Sequence, residues 1–176
     1  MSETVSIRAL EGREAQGEVG ALAELLIACV EGGASVGFMA PLPRDRAQAF
    51  WQRIADDVAR GARTLLIAED SVTGDIIGTV QLILEQPENQ PHRGDIAKML
   101  VHPRSRRRGV GALLMRAAED AAREARKTLL VLDTANDAAE RLYQRSGWTK
   151  VGVIPGYALM PDGAPCDTTY YYRSLA

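Results

Sequence analysis

The chain has 176 residues, 46% of them hydrophobic, with 21 Lys and Arg against 23 Asp and Glu and a formal net charge of −2 at pH 7. That length builds one well-packed domain and is short for two, and the near balance of charge argues against a general nucleic-acid binder. Cys29 and Cys166 have no metal-ligand spacing around them, no apolar run nears the ~18 residues that span a bilayer, and Met1-Ser2-Glu3-Thr4 lacks a charged-then-apolar leader, so a cytoplasmic protein without a bound metal is expected.

Thr4 to Leu10 alternates and is rich in β-branched residues, which predicts an opening strand. A helix is expected from about Glu14 to Glu31, where Val19, Leu22, Leu25, Leu26, Cys29 and Val30 recur at helical spacing until Gly32-Gly33 stops it. A second is expected from about Pro43 to Arg60, with Phe50, Trp51, Ile54 and Val58 facing inward. The period then changes to two. Arg63–Glu69 and Asp75–Leu84 read as strands joined by the turn Ser71-Val72-Thr73-Gly74, and a polar loop from Gln86 to Gly94 precedes a strand over Asp95–His102. A helix from Gly109 to about Arg126, a strand over Thr128–Asp133, a helix over Asp137–Arg145 and two strands near Thr149–Gly156 and Thr168–Arg173 complete the chain. The expected architecture is a single mixed α/β (α+β) domain over 1–176, in which an antiparallel meander feeds a strand-helix-strand unit.

The junction Val101-His102-Pro103-Arg104-Ser105-Arg106-Arg107-Arg108-Gly109-Val110-Gly111 joins a strand to a helix through a basic, glycine-punctuated loop. The first turn of a helix offers unpaired N–H groups and the positive end of its dipole, so such a loop suits a phosphate. Gly109 and Gly111 let phosphate oxygens reach the amides. A Walker loop would need Gly-Lys-Ser/Thr where Ala112-Leu113-Leu114 stands, and a dinucleotide fingerprint would need glycine at Leu114. Without its glycines the arginine run would read as a solvated surface patch.

What remains, Arg106-x-x-Gly109-x-Gly111 with Val-x-Pro upstream, resembles the pyrophosphate loop of the GNAT superfamily of acyl-CoA-dependent N-acyltransferases. Asn136 and the segment ending Tyr143-Gln144-Arg145-Ser146-Gly147-Trp148 follow in the order found in that family. The resemblance implies a mostly antiparallel sheet of about six or seven strands, flanked by about four helices and splayed between the fourth and fifth strands. It also implies acetyl-CoA as cosubstrate, with residues 1–90 mainly on the acceptor side and 95–147 on the acetyl-CoA side. In such a protein Met99, Leu100 and Val101 pair through their backbone with the pantetheine arm. Arg106, Arg107, Arg108, Gly109, Val110, Gly111 and Ala112 hold the pyrophosphate, and Asn136 bonds to the arm.

By the same resemblance Tyr143 protonates the departing thiolate; standing alone it would read as a half-buried core tyrosine. A protonated amine must lose a proton before it attacks a thioester, and two aspartates are candidates for that task. Asp133 ends the apolar strand Leu129-Leu130-Val131-Leu132 at the carboxyl edge where α/β sheets place ligands, although it also suits a strand-end turn. Asp95 matches the position of the base in histone-type family members and equally suits a solvated loop end.

Gly32-Gly33-Ala34-Ser35-Val36-Gly37-Phe38-Met39-Ala40, Leu132-Asp133-Thr134, Pro155-Gly156-Tyr157 and Pro161-Asp162-Gly163 are similar to the tabtoxin-resistance branch of the family, whose substrate is a small β-lactam-bearing amino acid. Phe38, Met39 and Trp51 are the expected apolar wall for the acceptor, while the glycines before them equally serve only to turn the chain. The expected partner is a small-molecule amine, with no nucleic acid or membrane, in a monomer or homodimer. Polyamine, aminoglycoside or peptide acceptors, and acyl-CoA binding without turnover, are the alternatives.

Overall fold

A computed structural model describes residues 4–176, so the reading of Met1 to Glu3 lies outside the described residues. Strands β1 (Val5–Leu10), β2 (Arg63–Asp70), β3 (Ile76–Ile83) and β4 (Arg93–Val101) form an antiparallel meander. Strand β5 (Leu129–Thr134) runs parallel to β4, and the hairpin of β6 (Thr149–Leu159) and β7 (Pro165–Ser174) extends the sheet in the order β1-β2-β3-β4-β5-β7-β6. The turn between β2 and β3 is built as its residues suggest. Asp70 Oδ1 accepts from the Val72 N–H at 3.0 Å, and Gly74 takes the left-handed φ of 77° that closes it.

Among the described residues five helices flank the sheet: α1 (Gly12–Gly17), α2 (Val19–Glu31), α3 (Arg44–Ala59), α4 (Val110–Glu124) and α5 (Asp137–Arg145). Alternation in β2 assigns them to two faces. Leu65 and Ile67 join a core with Leu22, Leu25, Leu26 and Trp51 of α2 and α3, whereas Leu66 and Ala68 join Leu114, Met115 and Tyr143 of α4 and α5.

Two expectations need correction. The single helix expected from Glu14 to Glu31 is two, because Glu18 leaves helical geometry at φ −95°, ψ 4° beside the poor helix former Gly17. This break lets α1 seat on α3 so closely that a Cβ at Gly12 would lie 2.7 Å from that of Ala59. The last two strands also run further than expected, to Leu159 and back to Pro165, because Met160 N–H donates to Ala164 C=O at 2.7 Å and Gly163 turns the chain at φ 92°.

Strand β4 carries one extra residue. Thr79 pairs with Leu100 and Gln81 with Ala97, so three steps on β4 face two on β3, and Lys98 sits in the bulge with a left-handed φ of 49°.

Candidate active site

The parallel pairing of β4 with β5 covers only Arg93–Asp95 against Leu129–Val131. Beyond Asp95 the strands diverge, leaving the β5-facing edge of β4 unpaired, and a cleft of about 1680 Å³ opens between them. Met99, Leu100 and Val101 line it, and this strand edge is open to pairing with an extended amide-bearing chain.

At the end of β4, His102 caps a short 3-10 turn over Pro103–Ser105, its Nδ1 accepting from the Arg104 N–H at 3.1 Å. The chain then passes through Arg107, left-handed at φ 65°, to Gly109, which caps α4 at φ 77°. A Cβ at Gly109 would meet nothing within 4 Å, so the space before the first amides of α4 is open. Arg106, Arg107, Gly109, Val110, Gly111 and Ala112 all line the cleft. Arg108 does not: its guanidinium lies 3.2 Å from Asp70 Oδ2 on β2, so only its backbone is available to the loop.

Across the splay, Asn136 caps α5, its side-chain oxygen accepting from Ala138 N–H at 2.8 Å and Ala139 N–H at 3.0 Å. Among the described residues its amide nitrogen makes no hydrogen bond, and the residue lines the cleft. Tyr143 lies two helical turns on, 3% exposed, its ring packed on Trp148 and Tyr171 at centroid distances of 6.1 and 5.8 Å. Burial, then the negative charge of Asp133, push its phenol well above the usual tyrosine range, so it is fully protonated at neutral pH. Asp133, exposed on β5, shares the cleft with both residues.

Cys29 of α2 also lines the cleft, beside the end of β4. Its thiol donates to the Val101 C=O at 3.5 Å, and burial, opposed by Arg106, pushes it up to about 11.

The acceptor-side residues fall elsewhere than expected. Trp51 is 1% exposed within the core of α2 and α3, because the inward stripe of α3 that carries Ile54 carries it too. Phe38 packs edge-on against Phe50 at 5.3 Å, and Met39 is 43% exposed outside the cleft. The preceding residues Ala34 to Gly37 line the cleft instead. The loop is held there by the Ala40 N–H, which donates to Pro161 C=O at 3.0 Å, and by Ser35 Oγ, which donates to Leu159 C=O at 3.4 Å. Asp95 is also outside: it sits in register with Val131 at the closed end of the splay, paired with Arg93 and accepting from Gln86 Nε2 at 3.2 Å.

Lys98 and Tyr157 are among further residues that face the cleft and to which the sequence assigns no site role. Lys98 enters it from the β4 bulge, and Tyr157 enters from β6, its hydroxyl 3.1 Å from that of Tyr170.

Solved structures share this fold from end to end. A GNAT superfamily phosphinothricin acetyltransferase from Sinorhizobium meliloti, in complex with acetyl-CoA, matches with TM-score 0.81 and 15% identity over 99% of this chain and 90% of that one. The yncA protein of Salmonella typhimurium, solved with its cofactor acetyl-CoA, matches with TM-score 0.79 and 20% identity over 99% and 95%. A ribosomal-protein-alanine N-acetyltransferase from Brucella melitensis matches with TM-score 0.80 and 19% identity over 97% and 99%. At these identities the likeness speaks for the fold alone. The sequence itself matches the model described as the acetyltransferase (GNAT) family over residues 22–148, which is most of its length. The chain belongs to the acetyltransferase (GNAT) family and is an acyltransferase.

Proposed function

We propose that this protein moves the acetyl group of acetyl-CoA to the primary amine of a small amino-acid-like molecule. The observation that carries the reading is the splay of β4 from β5, with an open glycine-capped helix end at one margin and Tyr143 and Asp133 at the other. The cleft fits coenzyme A in kind: an unpaired strand edge for the amides of its arm, and free helix amides with Arg106 and Arg107 for its diphosphate.

In this reading the amine nitrogen attacks the thioester carbonyl and the C–S bond breaks. Tyr143 gives its proton to the departing sulfur, and the amine proton passes to Asp133, directly or through water. Tyr143 starts protonated, as the role requires. Asp133 opens to solvent, so the proton it collects has an exit. Phosphinothricin, the substrate named for the Sinorhizobium neighbour, is an amino acid with a free amine, and the similarity to the tabtoxin-resistance branch points to the same acceptor class.

The test is CoA release from acetyl-CoA over a panel holding phosphinothricin, tabtoxinine-like β-lactams, proteinogenic amino acids, polyamines, aminoglycosides and peptides with free N-termini. Release with the amino-acid group is expected. Release with none of the amines would overturn the proposal.

A further inference from the structure

We infer that Lys98 reads the carboxylate of the acceptor, holding an amino-acid zwitterion between itself and Asp133 at the mouth of the splay. This rests on the acetyltransferase reading above and narrows it to amines that carry a carboxylate.

The backbone spends strain to aim this side chain. A lysine at φ 49° lies in a region that residues with a Cβ rarely enter, and the bulge it forms turns the residue toward the cleft. Among the described residues Lys98 makes no ion pair and no hydrogen bond, although it is half-buried and lines the cleft. Its ammonium rests 5.9 Å from the centroid of Phe50, and Gly37, left-handed at φ 88°, passes so close that a Cβ there would lie 3.6 Å from Nζ. The neighbouring cation Arg63 is already engaged, its guanidinium 2.8 Å from Asp57 and 2.6 Å from Gln81. A half-buried ammonium without an anion is costly to hold, and a ligand carboxylate removes that cost.

Asp133 supplies the opposite sign. It lies two residues past Val131, the last β5 residue paired with β4, so a continued ladder would have set it beside Ala97, next to Lys98. The strands have parted there, and no ion pair joins Lys98 to Asp133. The two nonetheless sense each other. Burial lowers the lysine below its usual range, and the Asp133 charge partly restores it. A small molecule with an ammonium and a carboxylate on adjacent carbons matches this separated pair, whereas a polyamine meets a like charge at Lys98.

The experiment compares each amino acid with its decarboxylated amine: L-methionine with 3-(methylthio)propylamine, and L-phosphinothricin with (3-aminopropyl)methylphosphinic acid. Wild-type protein is expected to prefer the carboxylated member by ~10²-fold in kcat/KM, the fold-change that losing one hydrogen bond to a charged group produces. Lys98→Met is expected to bring that ratio near one, chiefly by raising KM for the amino acid, while Lys98→Arg keeps most of it. Amine turnover by wild type with no preference for the carboxylate, or a preference that survives in Lys98→Met, overturns the inference and leaves the activity standing. The wild-type comparison decides even if Lys98→Met fails to fold. Acetyl-CoA binding with no turnover of any amine takes down the proposed activity, and this inference with it.

Discussion

Ile96 and Leu100 stand four residues apart on one strand and yet pack into opposite cores, Ile96 against α4 and Leu100 against α2 and α3. Even spacing would put them on the same face; the bulge at Lys98 exchanges the faces in mid-strand. Deleting Lys98 restores simple alternation and so misplaces either the segment before it or the segment after it. A stability loss of at least the ~2–5 kcal/mol of a leucine removed from a core is expected, read as a lower midpoint in urea unfolding.

Tyr143→Phe removes a hydroxyl that makes no hydrogen bond among the described residues, while its ring contacts with Trp148 and Tyr171 stay. Steady-state kinetics should show kcat lower by ~10²-fold or more, the size of a lost general acid, with acetyl-CoA affinity within a few fold of wild type. An equal rate would remove the role assigned to the phenol.

Much of this site is local in sequence and therefore legible there. The arginine-glycine loop, Asn136 at the start of a helix and Tyr143 two turns later depend on short spacings that hold whatever the rest of the chain does. The misplaced residues depend on distant pairing. Asp95 falls outside the cleft because its register with Val131 puts it at the closed end of the splay, and Trp51 is core because the face α3 presents is chosen by α2 and the sheet. Lys98 was passed over for the same reason. The signal of an extra residue in β4 is weak, because Ala97 and Leu100 keep β4 apolar at both even and odd positions, and the common face of Ile96, Met99 and Val101 emerges only with the bulge.

Glu119 on α4 is 6% exposed and accepts from the Trp148 indole N–H at 3.0 Å, with Arg173 Nε 3.1 Å away as an ion pair off the N–H direction. This carboxylate ties α4 to the end of the α5 segment and to β7. Glu119→Ala strands the Trp148 indole N–H in the interior, removes the anion beside the partly exposed Arg173, and is expected to cost about 1–3 kcal/mol of stability by denaturant unfolding.

Cys29 provides a pH-dependent readout of the cleft wall. Its folded-state value of about 11 lies above that of an unfolded cysteine, so the folded protein holds the proton more tightly. Its contribution to stability is complete below the unfolded value of ~8.5 and is lost as pH rises toward the folded one. Iodoacetamide at pH 8 should therefore modify Cys166 well before Cys29, and the Cys29 rate should climb with pH until about 11, as mass spectrometry of the peptides would show. Fast modification of Cys29 at pH 8 would contradict the burial.

The proposed activity requires coenzyme A to lie in the opening between β4 and β5 with its diphosphate against the start of α4. Isothermal titration of acetyl-CoA into wild-type protein and into Gly109→Val tests this directly, since valine at φ 77° is strained and its branched side chain enters the open space before the helix amides. Saturable binding by wild type, weakened at least ~10-fold in a folded Gly109→Val, is the predicted result. No heat with wild type, or equal affinity in the folded variant, would contradict it.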